Sequence, residues 1–307
     1  MSSILVAGLF VGCTNQEEKS ESTMNESTGT ANQYTSENND FFTSIEWLES
    51  NKDNEDLVII DARDEKSYSK GHIPNAINIA WQSLSNVEGK GGDPGWGTLQ
   101  ENKALSESLS AYGITSDSKV VVYGNKGAWG EDGRIAWSLK RAGIDARVLN
   151  GGIDLYETLE YEMSKEATKV EKSEVKVEVN DDMNITTEEL SAGYDTFKVI
   201  DTRDKSEYEG AQKYGEVRGG HLPGAINIDF NLFYNEDGTI KNNEEIDKIM
   251  TDNSIEKTDN IVTYCTAGIR SAHMAIVLKN AGYENVKNYD ASFHEWAGDS
   301  TKEVETK

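Results

Sequence analysis

LVIIDARDEKSYSKGHIPNAINI, residues 57–79, decides the fold, because most of it is written twice: FKVIDTRDKSEYEG stands at 197–210 and, after an insertion, GGHLPGAINI at 219–228. Each copy reads as a buried strand ending in Asp-x-Arg, a short polar helix, and a Gly-His-x-Pro turn entering a further strand. The match continues downstream. KVVVYGNKGAWGEDGRIAWSLKRAGIDARVLNGG (119–152) parallels NIVTYCTAGIRSAHMAIVLKNAGYENVKNYDAS (260–292). Apolar strand, loop, amphipathic helix ending at Ala-Gly and short strand follow in the same order. Apolar runs leading straight into loops are the pattern of parallel strands covered by helices on both faces, so each repeat predicts an α/β domain with a mainly parallel sheet.

The chain has 307 residues, 36% of them apolar, which suits two domains of ordinary size. The expected division is a signal segment over 1–13, a flexible spacer over 14–40, a first domain over 41–160, an interdomain linker over 161–182 and a second domain over 183–300. The linker is charged and poor in aromatics, and the alternation in SEVKVEVN (173–180) predicts an edge strand opening the second domain. Acidic residues number 55 against 30 basic ones, a formal charge of −25, which argues against a nucleic-acid partner.

Two cysteines, Cys13 and Cys265, lie in contexts too unlike for a structural pair. MSSILVAGLFVGC is a short apolar run ending in small residues before Cys13, and a polar stretch follows. It resembles a bacterial lipoprotein signal, departing from it in having no Lys or Arg before the run and Phe10 where Leu is usual. The resemblance implies lipidation at Cys13 and an extracytoplasmic protein held to a membrane by that lipid alone, the run being too short to span a bilayer.

Cys265 follows the apolar IVTY and precedes TAGIRS, where a helix begins. Strand ends of open α/β sheets are where ligands collect. A helix N-terminus lowers a thiol pKa, so this position predicts a nucleophile. Gly268 allows the loop amides to turn inward, Arg270 adds a fixed cation, and Ser271 is a candidate cap or donor.

With Asp-x-Arg and Gly-His-x-Pro in two copies, CTAGIRS resembles the tandem-domain rhodanese family over residues 41–297. The resemblance implies two tandem rhodanese-like domains, the second catalytic and the first an inactive relative closing the cleft. Gly124 stands where the second copy has Cys265. It implies a persulfide on Cys265, cradled by Thr266, Ala267, Gly268, Ile269 and Ser271, with Arg270 as catalytic partner. The resemblance further implies a small-molecule sulfur donor and a thiol or cyanide acceptor as substrates; no cofactor is expected, and four scattered histidines predict no metal site. Some thiosulfate-using relatives carry Arg where Glu207 stands, so Lys213 and Arg218 are candidates to supply the missing charge. Asp201 and Arg203 are expected to support the loop; His72 and His221, repeated before x-Pro in both copies, are expected to do a structural job, with a cleft-lining role for His72, as proposed in mercaptopyruvate-using relatives, as the alternative. His273 and His294 are expected as helix-surface and packing residues. Trp129 is a candidate aromatic wall, with packing as its equal alternative, and Trp81 and Trp96 are candidates for the same rim.

Three readings compete with a thiosulfate sulfurtransferase. A cysteine phosphatase is disfavoured because four residues, Thr266 to Ile269, separate Cys265 from Arg270, one fewer than in the phosphatase loop. A 3-mercaptopyruvate sulfurtransferase is disfavoured by the loop sequence, and a surface persulfide carrier by the intact loop.

Overall fold

The computed structural model describes residues 40–306 together with Met1. The lipidation site expected at Cys13 lies outside the described residues, as does nearly all of the expected spacer. In chain order the first half contains β1 (Phe42–Thr43), α1 (Ile45–Asn51), β2 (Leu57–Asp61), α2 (Glu65–Lys70), β3 (Ile77–Asn78), α3 (Asn102–Ala111), β4 (Lys119–Tyr123), α4 (Glu131–Arg141), β5 (Asp145–Leu149) and α5 (Gly152–Thr158). The second half repeats the series as β6 (Asn184–Ile185), α6 (Thr187–Ala192), β7 (Lys198–Asp201), α7 (Lys205–Tyr208), β8 (Ile226–Asn227), α8 (Asn243–Asp252), β9 (Ile261–Tyr264), α9 (Ile269–Asn280), β10 (Val286–Tyr289) and α10 (Ser292–Gly298). Among the described residues the strands form two five-stranded sheets, ordered β1-β5-β4-β2-β3 and β6-β10-β9-β7-β8, and the strand pairs are parallel. Each half is thus an α/β domain of the expected kind.

The central strands are buried on both faces, which is why IVTY and VVVY are continuous rather than alternating. Each Val or Ile so buried contributes roughly 1.5–3 kcal/mol. Registers are equivalent in the two sheets: Asp61 lies opposite Tyr123, and Asp201 opposite Tyr264. In both copies the tyrosine hydroxyl donates to the aspartate, at 2.8 and 2.7 Å. The expected short polar helices are capped by Asp64 and Asp204.

Two expectations are corrected. SEVKVEVN forms no strand; it runs along α3 of the first domain. The Val177 amide donates to Ser106 Oγ, the Val179 amide to Asn102 Oδ1, and buried Val177 joins the core. Its alternation serves to seat valines beside α3, and the edge strand is the short β6. The helix after Cys265 is not amphipathic either: residues 269–278 of α9 are all buried. One face covers its sheet and the other packs on α4 of the first domain, so the helix is internal on every side. The close approach needs Gly133 on α4, where a Cβ would collide with the His273 ring.

The same interface buries Arg134, which pairs with Asp290 and donates to the carbonyls of Gly97 (2.9 Å) and Gly268 (3.3 Å). Asp290 also accepts from the Leu99 amide at 2.9 Å. Breaking a buried pair strands the remaining charge. Arg134→Met is expected to lower unfolding free energy by about 3 kcal/mol, read as a shift of the urea midpoint at unchanged slope.

Candidate active site

Cys265 sits one residue beyond β9 and is 1% exposed. The loop is shaped by where its carbonyls go. The Cys265 and Thr266 carbonyls accept from the Phe293 and His294 amides at the start of α10, both at 3.0 Å, and the Gly268 carbonyl accepts from Arg134. With carbonyls drawn outward, the intervening amides are left to turn inward. Gly268 makes this turn at φ +78°, and a Cβ there would strike the Asp290 carbonyl. The Cys265 amide donates to Ser292 Oγ at 3.2 Å. Ser292 itself holds φ at +56°, a left-handed conformation unusual for serine and locally strained.

Burial pushes the Cys265 thiol pKa up, but the Arg270 guanidinium, then the Ser271 amide and hydroxyl and the Ala267 amide, outweigh it, so the pKa falls below the usual thiol value. The Ser271 hydroxyl has no oxygen or nitrogen partner and is free to serve the sulfur. It does not cap α9, whose N-cap is Gly268.

Arg270 is clamped. Its Nη1 donates to Glu207 Oε2 at 2.7 Å, and its Nη2 donates to Glu207 Oε1 at 2.8 Å and to Thr266 Oγ1 at 2.9 Å. Thr266 Oγ1 donates in turn to Glu207 Oε1 at 2.9 Å, and Glu207 is 0% exposed. Burial opposes the guanidinium charge and Glu207 secures it, raising the Arg270 pKa. A bidentate pair of this kind fixes the fork in one plane.

Asp201 and Arg203 pair at 2.6 Å, and Arg203 also donates to the Gly220 carbonyl at 2.7 Å; both are buried and hold the strand end and the Gly-His turn together. Asp61 and Arg63 do the same in the first domain.

Other expectations move. Arg218 brings no charge to the thiol: it donates to the carbonyls of Trp296, Ala297, Asp299 and Lys302, clasping the end of α10. Lys213 pairs with Asp204 at 2.7 Å. His72 takes the structural role that its repetition suggests, stacked on Tyr68 with its ring nitrogens 2.9 and 3.1 Å from the Tyr68 and Glu166 carbonyls, as His221 stacks on Tyr208 in the second copy. His273 is not on a surface but buried between the domains, 2.6 Å from the Tyr234 hydroxyl and 3.0 Å from Asp132. His294, beyond packing, lines the cavity over Cys265, and burial lowers its pKa.

That cavity holds about 190 Å³. Its floor is Cys265, Thr266, Ala267, Ile269 and Arg270, and its walls include Trp81, Trp96 and Trp129 from the first domain and Tyr214 from the insertion of the second. All three tryptophans therefore line one cavity. The corresponding loop of the first domain, with Gly124 for the cysteine, borders a separate cavity of about 340 Å³. Sequence reasoning missed Glu207 as the partner of Arg270, although a signal existed: the first copy has Ser67 in its place and Gly124 for Cys265, so carboxylate and thiol are absent together.

The family model for the Rhodanese-like domain matches residues 44–158 and 186–299. The chain belongs to the rhodanese family. A thiosulfate sulfurtransferase of Corynebacterium glutamicum is 31% identical over 278 residues, covering 86% of this chain and 89% of that protein. A putative thiosulfate sulfurtransferase of Mycolicibacterium smegmatis is 30% identical over 270 residues, covering 84% and 94%. Among solved structures, the anaerobic ergothioneine biosynthesis enzyme of Chlorobium limicola, in complex with trimethyl histidine, shares the fold. Its TM-score is 0.78 at 22% identity, covering 87% of this chain and 70% of that one. In this rhodanese the two charges beside the thiol have opposite effects on it. Glu207→Gln removes a negative charge and is expected to lower the pH midpoint of Cys265 alkylation by iodoacetamide. Arg270→Met is expected to raise that midpoint, and stopped-time mass spectrometry across pH reads both.

Proposed function

We propose that this rhodanese moves sulfane sulfur from thiosulfate to a thiol or cyanide through a persulfide on Cys265. One observation supports the reading above others: the single described cysteine ends a buried strand inside inward-facing amides, next to Arg270, with its pKa lowered. The names of the relatives at about 30% identity support the donor.

The thiolate attacks the outer sulfur of thiosulfate. An Sγ–S bond forms, the S–S bond of thiosulfate breaks, and sulfite leaves with the electron pair. The product is a persulfide anion, which the Ala267 and Ser271 amides and the Ser271 hydroxyl stabilise as fixed donors, without reorganising during the reaction. Cyanide or a thiolate then attacks the outer sulfur, giving thiocyanate or a new persulfide and returning the Cys265 thiolate. Arg270 holds the loop geometry and offsets charge at the sulfur. Because Glu207 already matches that cation, the dianionic donor meets mostly amide dipoles, which makes thiosulfate a weakly held substrate. In this reading the Cys13 lipid places the reaction outside the cytoplasm.

Cys265→Ser is expected to abolish thiocyanate formation and the mass gain of one sulfur atom seen after incubation with thiosulfate, while its circular dichroism stays unchanged. Glu207→Gln is expected to lower KM for thiosulfate. Transfer at wild-type rate by Cys265→Ser, or a kcat/KM for mercaptopyruvate above that for thiosulfate, overturns the corresponding part of the reading.

A further inference from the structure

The walls of the cavity over Cys265 are more informative than its floor about what enters second. Trp81, Trp96 and Trp129 face one space of about 190 Å³, below the roughly 300 Å³ at which drug-sized pockets begin. Trp129 is 45% exposed and Tyr214 39%, with their rings edge to face at 5.0 Å. Large aromatics left this open at the mouth of a site are a binding surface rather than core.

The charges narrow the choice. Arg270 is the charged residue among those lining this space, and it is matched by Glu207. Its guanidinium lies 5.8 Å from the Tyr214 ring, so that face already has a cation. Among the described residues the other arginines and lysines that lie over rings sit on Phe41, Tyr123, Trp137, Tyr264, Tyr283, Phe293 and Trp296, not on the three indoles of this wall. Lys213 and Arg218, the nearby cations of the insertion, are engaged elsewhere. Once sulfur is loaded, the outer atom carries a negative charge in a cavity lined by three electron-rich indoles, in a chain whose formal charge is −25. A cation without its own hydrogen-bond donors fits such a space: indole is the best ring for cation–π attraction, and apolar walls offer a methylated ammonium group nothing to leave unsatisfied.

We propose that the acceptor that empties the Cys265 persulfide is a small thiol bearing a quaternary ammonium group, held by Trp81, Trp96 and Trp129. The proposal rests on the persulfide mechanism above and adds the class of acceptor. The thiolate of the acceptor attacks the outer sulfur, a new S–S bond forms, the bond to Sγ breaks, and Cys265 leaves as thiolate with the electron pair. No oxidant and no further proton is required. The cation offsets the repulsion between the two anionic sulfurs as they approach, so its effect falls on binding and on the rate of attack together.

The test uses the wild-type chain loaded with thiosulfate, and three probe thiols at matched thiolate concentration. Thiocholine carries the quaternary ammonium, 3,3-dimethylbutane-1-thiol has the same shape without charge, and 3-mercaptopropionate is anionic. Discharge of the persulfide is followed by mass spectrometry. Thiocholine is expected to show kcat/KM about 5- to 30-fold above its neutral isostere, the range of a desolvated cation–π contact, and 3-mercaptopropionate to be the slowest. Trp129→Leu, at an exposed position, is expected to narrow the gap between thiocholine and the isostere. Equal rates for charged and neutral thiols, preference for the anion, or a gap that survives both Trp129→Leu and Trp96→Leu overturns the proposal. Failure of the protein to load from thiosulfate or mercaptopyruvate is seen before any acceptor is added; it refutes the persulfide mechanism itself, and this proposal falls with it.

Discussion

A carboxylate with no access to solvent has to be surrounded by donors, and in this chain Asp201 is that carboxylate. Arg203 reaches it with its backbone amide and Nε, at 3.0 and 2.9 Å to one oxygen, and with Nη2 at 2.6 Å to the other; the Tyr264 hydroxyl completes the set at 2.7 Å. Tyr264 is the residue before Cys265, and its oxygen also accepts the Leu222 amide at 3.1 Å from the Gly-His-x-Pro turn. Three segments far apart in the chain are thereby locked at one point, and Cys265 leaves that point in a defined direction. A half-paired buried charge would cost several kcal/mol, so the group tolerates little rearrangement.

The first domain contains the same frame around Asp61, Arg63 and Tyr123, with nearly the same distances, and no thiol. The frame is therefore architecture common to both copies. What distinguishes the second copy is a thin layer added to it: Cys265, the Thr266–Glu207–Arg270 clamp, and the hold of the His294 amide and of Arg134 on the carbonyls of Thr266 and Gly268. The proposed chemistry rests on four or five side chains set on a scaffold common to both copies.

Much of this was legible in the sequence because it is local or repeated. Asp-x-Arg places both partners within two residues, the apolar strands announce themselves by composition, and the doubled pattern makes each copy a check on the other. The thiol at a strand end before a helix needed only short-range reading. The features that escaped reading depend on approach across long separations: Glu207 meets Arg270 over 63 positions and Arg134 meets Asp290 over 156. Arg218 looked like a free cation in the insertion and is instead spent on the carbonyls closing α10. His273 looked like a surface residue because the pattern of α9 cannot reveal that a second helix covers its outer face. The valines of SEVKVEVN imitated a strand because seating side chains in a groove requires the same alternation as pleating.

Arg134 belongs to the half of the molecule with Gly124 at the place of Cys265, yet its guanidinium ends on the carbonyl of Gly268, at the turn of the Cys265 loop. A repeat joined to its neighbour by a tether alone is at liberty to change without consequence for it. This one is not at liberty, since a change in α4 is felt at the cysteine loop of its neighbour. The first copy is a tenant bound to the second, with Arg134 and the Gly268 turn forming one structural unit.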